Sequence, residues 1–340
     1  MPSVSVYKQN STMNLQLNQL LQKPSLKDIS FNEKDSLWVP EQSLNKKPSV
    51  DLLSTSRKGS ITSLLSASNN MSRSFLPKDE NEIDRMVSQH YILRTAFDGD
   101  FYAPLSDKAK IVLDMGCGPG TWTMEMAVQF PRIHFIGIDQ YALFPQDIKP
   151  KNCRFLGLDR YTLPFDDNSI DYIFQRDANW EIPRLAWDSL IQEYYRVLKP
   201  GGWIELVEAD LETQSSPNQE GFLIDTLIDM YYQKQHDPFI FQRLSSLLAT
   251  GGFRRIQSDF QSIPLGWGHS KSLKKQQPCS EYARASAMQQ FALLKSLKPW
   301  FVQKSRTKYE ECVSNLLKEW SFNKSYINWH RSIAQKPYLS

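Results

Sequence analysis

Cysteine is scarce in this 340-residue chain: Cys117, Cys153, Cys279 and Cys312 stand far apart. None forms a C-x-x-C pair, so the spacing of a zinc site or a redox motif is missing. A reduced, intracellular protein without a bound metal is expected. Net charge is nearly absent as well. Forty Lys and Arg against 37 Asp and Glu leave +3, too little for a basic stripe, which argues against a nucleic-acid partner. No apolar run approaches a membrane span, so no membrane partner is expected. The first twenty residues lack the compact apolar core of a signal peptide. A cytoplasmic or nuclear protein fits these absences. What is plentiful is core material, with 41% hydrophobic and 12% aromatic residues.

The first 78 residues differ from the rest. Serine makes up roughly one residue in five there, among Asn, Gln, Lys and Pro, a composition that buries too little apolar surface to fold alone. Residues 1–78 are therefore expected to form a disordered tail. Within it, Ser60 follows Arg57-Lys58-Gly59, which suits either a basic-directed phosphorylation site or a solvated serine. Order is expected from about Asn81. "NEIDRMVSQHYILRTAF" brings Ile83, Met86, Val87, His90, Ile92 and Leu93 near one helical face.

Beyond this helix, strand and helix signals alternate. "KIVLDMG", "IHFIGID", "NCRFLGLD", "IDYIFQR" and "WIELVEAD" read as strands. "TWTMEMAVQF" reads as a helix, and so does "AWDSLIQEYYRVLK", which is expected to stop at Pro200-Gly201-Gly202. This alternation predicts an α/β fold with a doubly wound, mostly parallel sheet.

The informative stretch is "IVLDMGCGPGTWTMEMA", a strand, a glycine turn and a helix start. Its glycines are Gly116, Gly118 and Gly120, with Thr121 where a dinucleotide fingerprint wants its third glycine. A P-loop needs a lysine that does not follow here, so both phosphate readings are weak on spacing. Asp114, two residues before Gly116, would repel a pyrophosphate and attract an ammonium. The helix N-terminus behind the turn favours a carboxylate. Ammonium plus carboxylate describes an amino acid, and the methionyl end of S-adenosylmethionine fits. Asp139, closing the next strand, is placed to accept ribose hydroxyls, a role NAD proteins share. Asp159, after the third strand, is placed to meet an adenine amino group, with Leu158 holding the ring; a simple turn role is the other reading.

"VLDMGCGPG", "IGID", "LPFDDNSIDYIF" and "EYYRVLKPGGWIELVE" resemble the ordered motifs of class I S-adenosylmethionine-dependent methyltransferases. "NEIDRMVSQHYILRTAFDGDFYAPL" and "SYINWHRSIAQKP" resemble, within that class, the fungal LaeA-like proteins of the trans-aconitate-methyltransferase-like superfamily. The resemblance covers about residues 80 to 336. It implies a Rossmann-like sheet of seven strands with the last one antiparallel, over a methyltransferase domain at 79–340. "GGFRRIQSDFQSIPLG" suits the sixth strand and "YINWHRSIA" the seventh. The segment between them, about 270–323, becomes a helical insertion that could roof the site with the helix near 82–97.

Methyl transfer needs alignment, exclusion of water and sometimes a base, so a missing catalytic triad excludes nothing. The pocket belongs at the carboxyl ends of the strands. "FQRDANWEI" there offers Gln175, Arg176, Asp177 and Trp180. Arg176 suits an anionic group of substrate or cofactor, or an ion pair with Asp177. Trp180 suits the pocket wall or packing beneath the roof. Glu208 suits a general base or a structural acceptor, and His90 and Tyr91 could close over the cofactor. Cys117 suits a small filler or a thiol activated by the helix N-terminus. The short N/D-P-P-Y/F motif of adenine and amide-nitrogen methyltransferases is missing after the fourth strand, which argues against DNA adenine methylation. The expected activity is methylation of a small molecule, with a protein acceptor next. A regulatory subunit of LaeA type, acting with a protein partner, is the alternative.

Overall fold

A computed structural model describes residues 74–158, 161–216, 220–268 and 280–338. The expected tail and its Ser60 lie outside these residues, apart from its last few positions. In chain order come α1 (Glu80–Ala96), β1 (Ile111–Met115), α2 (Thr121–Gln129), β2 (His134–Asp139), β3 (Cys153–Gly157) and β4 (Ile170–Arg176). They are followed by α3 (Trp187–Val197), β5 (Leu198–Ala209), α4 (Gly221–Gln233), α5 (Leu244–Thr250) and β6 (Arg254–Pro264). The chain then runs through α6 (Glu281–Ser296) and α7 (Lys298–Asn323) into β7 (Tyr326–Gln335). Ser305, in an extended conformation, breaks α7 in its first third.

The seven strands form one sheet in the order β3-β2-β1-β4-β5-β7-β6. β1 to β5 pair in parallel, and β7 inserts antiparallel between β5 and β6. The last strand is thus antiparallel and the α6–α7 insertion precedes it, as the family resemblance implies. One boundary differs from expectation. α3 ends at Val197, and Leu198 is already extended and paired with Ile170, so Pro200 and the two glycines belong to the strand.

Alternation along the strands divides the core into two layers. Val112, Phe135, Tyr172 and Phe174 pack with α1, α2, α4 and the insertion on one face. Leu113, Ile136, Ile138 and Ile173 pack with α3 and α5 on the other. The strand order reverses between β1 and β4, which opens a crevice at their carboxyl ends.

α1 crosses that crevice with an unexpected face inward. Asp79 caps it by accepting from the Glu82 amide at 3.0 Å. Its buried residues are Glu82, Arg85, Gln89, His90, Ile92 and Leu93, while Ile83, Met86 and Val87 are only half-buried. The apolar spacing identified the helix but not the whole inner face. Polar side chains lie inside because they satisfy one another: Arg85 donates to Glu82 at 2.6 and 2.8 Å and to Gln89 at 2.5 Å.

Candidate functional site

The turn after β1 is built from backbone that side chains would obstruct. Gly116, Gly118 and Gly120 have φ of +72°, +52° and +77°. A Cβ on Gly120 would stand 2.4 Å from the Phe155 ring, and one on Gly118 would stand 3.3 Å from Met86 Sδ. Phe155 is held there by stacking on Phe144, at 4.8 Å between centroids. The turn therefore leaves its amides close to whatever fills the crevice.

Asp139 stands over this turn. One carboxylate oxygen accepts from the Gly118 amide and the other from the Tyr141 amide, both at 2.9 Å. A carboxylate oxygen can accept more than one donor, as ribose hydroxyls would require. Asp114 is buried on the α2 side of β1 and accepts from Thr123 Oγ1 at 2.5 Å. Burial pushes its carboxyl up to about 6, against the pull of Thr123 and the Arg176 charge.

Arg176 ends β4 and reaches back to α1, where its Nη2 donates to His90 Nδ1 at 2.9 Å. That bond fixes the tautomer of His90. Nδ1 must accept, so the ring proton sits on Nε2 and goes to Glu125 at 3.0 Å. Burial lowers the His90 pKa and keeps the ring neutral. Burial works to raise Glu125, but donation from His90 and Tyr91 and the Arg94 charge outweigh it and hold the carboxylate below its usual range. His90, Asp100 and Glu125 bring three ligand-type atoms within 4.8 Å of one another. Arg94 lies among them, 2.8 Å from Glu125 and 3.4 Å from Asp100, as an internal counter-charge.

Asp177, next to Arg176, has φ of +55° and turns the chain toward the roof. Its oxygens accept from Gln89 Nε2 at 2.7 Å and Trp180 Nε1 at 2.9 Å. The expected alternative, an Arg176–Asp177 ion pair, is not the arrangement: the two side chains bond α1 separately. Trp180 packs against Phe75 and Tyr231 and lines the crevice. The insertion locks the roof from above, with Gln289 donating to Gln89 at 2.8 Å and Ser296 to Glu82 at 2.6 Å.

These parts enclose a cavity of about 100 Å³. Asp114, Gly116, Cys117, Gly118, Asp139, Arg176, Asp177, Trp180 and His90 line it together. Gly120 shapes the turn from behind. Leu158 donates its amide to the Asp139 carbonyl at 3.0 Å, and its side chain rests on the core. Asp159 lies outside the described residues. Tyr91 faces Glu125 rather than the cavity. Glu208 is buried beneath the β4 loop, accepting from the amides of Ala178 at 3.0 Å and Asn179 at 3.3 Å. Burial pushes its carboxyl up to about 8. Gln175 is also buried and accepts from Tyr194.

Sequence reasoning missed Glu82, Arg85, Gln89 and Trp122, all on the cavity wall. The first three repeat at helical spacing, so a polar stripe in α1 was there to be found. Trp122 stacks on Phe174 at 4.0 Å and 6°, and its sequence position alone gives no hint of that.

Residues 112–202 match the family model described as a methyltransferase domain. The secondary metabolism regulator LAE1 of Cochliobolus heterostrophus is 31% identical over 205 residues, 55% of this chain and 64% of that protein. The protein-methionine methyltransferase laeA of Emericella nidulans is 32% identical over 142 residues, 41% of this chain and 37% of that one. This chain spans 54% to 64% of the lengths of the first four relatives it matches. Phosphoethanolamine N-methyltransferase 2 of Haemonchus contortus, solved with S-adenosyl-L-methionine, overlays with a TM-score of 0.42 at 19% identity, over 73% of this chain and 51% of that one. That overlay is too loose to add weight. The sheet order and the glycine turn are those of the Rossmann-like class I methyltransferase fold, residues 112–202 match the methyltransferase-domain model, and the chain is similar in sequence to the LaeA-like proteins.

Proposed function

We propose that the protein transfers a methyl group from S-adenosylmethionine to a small-molecule or protein acceptor. One observation carries this reading: a carboxylate at the end of β1, a carboxylate at the end of β2, an arginine at the end of β4 and the open glycine turn all line one cavity. The donor set suits the cofactor. Asp114 is the partner for its ammonium, Arg176 and the α2 N-terminus for its carboxylate, and Asp139 for its ribose hydroxyls. When bound, the cofactor supplies a methyl group already activated by a sulfonium. The chain's own residues align the acceptor and exclude water, with α1 and Trp180 as the covering elements.

The charges around the cavity sharpen the acceptor class. Its cations are already paired: Lys78 with Glu181 at 3.1 Å, Arg85 with Glu82 at 2.6 Å, and Arg176 with His90. If Arg176 turns to the cofactor, no cation among the described residues of this wall stands clear of a partner to receive a second carboxylate. A neutral acceptor therefore fits better than a carboxylate.

A second reading has specific support. The cavity is smaller than the roughly 300–1,000 Å³ of a typical ligand pocket, and α6 braces its roof through bonds from Gln289 to Gln89 and from Ser296 to Glu82. Several relatives are called secondary metabolism regulators. A regulator that binds the cofactor, with a protein partner prising the roof open, accounts for both facts.

The test is calorimetric titration of S-adenosylmethionine into the full chain and its Asp114→Ala and Asp139→Ala variants, followed by a methyl-acceptor screen in cell extract. Binding lost in both variants and radiolabel passed to an acceptor support the enzyme. Binding without transfer in any extract supports the regulator. A folded wild-type chain with no binding in the presence of extract would overturn both.

A further inference from the structure

A second cavity, of about 170 Å³, lies at the carboxyl end of β5 and shares no wall residue with the first. Its volume is several times the ~30 Å³ share of one water, so it has room for an organic group. Asp210 and Glu212 supply carboxylates, and Phe239, Phe241 and His330 supply rings. Among the described residues, no lysine or arginine lines it. The rings are in mutual contact: Phe239 meets Phe241 edge-on at 6.5 Å, and Phe241 leans on His330 at 4.7 Å. Phe260 stacks on His330 at 5.5 Å.

The site is held rigidly. His330 Nε2–H donates to Asp210 at 2.8 Å, and Asn328 donates to the other Asp210 oxygen at 2.9 Å. The aromatic turn is pinned by Asp237, which accepts from the Phe239 amide at 3.0 Å and pairs with Arg243 at 2.8 Å. Asn179, between two residues of the first cavity's wall, donates to the Asp237 carbonyl at 2.8 Å. The aromatic turn is therefore tied to the β4 loop of the first cavity.

Aromatic rings beside carboxylates, with no lysine or arginine among the described wall residues, complement a soft organic cation. A hard metal ion would want several carboxylate oxygens, but Asp210 is already engaged by three donors, the third being Gln214 at 3.3 Å. We propose that this cavity binds an alkylated ammonium head group, presented by a small molecule or by a methylated lysine side chain.

The test compares choline with 3,3-dimethylbutanol, its uncharged isostere, by saturation-transfer NMR and titration on the full chain. Choline is expected to bind about fivefold more tightly than the isostere. Phe241→Leu, which keeps apolar bulk and removes the ring face, and Glu212→Gln, at the exposed rim, are each expected to weaken choline severalfold. Asp139→Ala, in the first cavity, is expected to leave it unchanged. A trimethyl-lysine peptide binding more tightly than choline would assign the head group to a polypeptide, and equal affinities would assign it to a small molecule. Equal binding of choline and its isostere, no saturable choline signal, or choline binding indifferent to both cavity variants would overturn the proposal.

Discussion

The sheet and its roof bury side chains by opposite rules. In the sheet, Leu113, Ile138, Ile173 and Ile204 are wholly buried hydrocarbon that needs no partner beyond contact. In the roof, Glu82, Arg85 and Gln89 are nearly as buried, yet each depends on a named hydrogen bond. The sheet can lose a methyl group and stay a sheet. The roof fails if one member of its chain is removed, because the charge left behind has no water to turn to. A domain built this way has a stable platform and a cover whose closure depends on a short list of polar contacts.

Arg85→Met should show the largest effect, because it strands Glu82 inside the roof. A loss of about 3–5 kcal/mol in urea unfolding is expected. Adding Glu82→Leu should return most of that loss, since a buried pair replaced by apolar side chains is often neutral. A double variant as unstable as the single one would mean that the roof owes its stability to something other than paired charge.

Leu113→Ala is the matching change in the sheet. It should cost about 2–5 kcal/mol through lost contact and a residual cavity between β1 and the α3 layer. No polar second substitution should rescue it. Rescue by a neighbouring charge would erase the distinction between the two regions.

Much of the platform was legible in the sequence because its signals are local. The first four strands are short apolar runs, and the acids of interest sit one or two residues from a run's end, as Asp114 and Asp139 do. The insertion before "YINWHRSIA" came from the family resemblance, and the helical spacing of its two segments agreed with it. The roof was only half legible. Apolar periodicity identified α1 but favoured Ile83, Met86 and Val87 over the polar stripe that faces inward. That stripe looks solvated until α6 and β4 supply its partners, more than eighty residues away in the chain. The second cavity was not legible for the same reason: Asp210, Phe241 and His330 meet only through the register of β5 and β7 and one turn after α4.

The boundary between platform and roof is the carboxyl end of β1, and pH tests it. Asp114 is held up to about 6 by burial, and its charged form is what an ammonium ligand needs. Between pH 7 and pH 5 the carboxylate is protonated, so S-adenosylmethionine binding should weaken about tenfold. Stability of the free protein should move the other way. A carboxyl whose folded pKa lies above its unfolded value disfavours folding at pH above about 6, and that penalty fades as pH falls toward the unfolded value. Asp114→Asn should flatten both profiles and lower affinity at pH 7 by about tenfold. An unchanged pH slope in the variant would place the titrating group elsewhere.

The smallest effect should come from Tyr91→Phe, and it separates packing from chemistry within the roof. The Tyr91 hydroxyl donates to Glu125 at 2.8 Å and lies off the cavity wall, although its neighbour His90 is on it. Glu125 keeps donors from His90 and Arg94 when the hydroxyl is removed. The expected loss is therefore about 1 kcal/mol or less, one hydrogen bond to a carboxylate that retains two others. Cofactor affinity should stay within about twofold, because the Arg176–His90–Glu125 chain is intact. Once a methyl acceptor is found, turnover should be equally unmoved. A collapse of turnover with stability and cofactor affinity preserved would show that Tyr91 leaves Glu125 when the acceptor binds, and that the roof carries chemistry as well as cover.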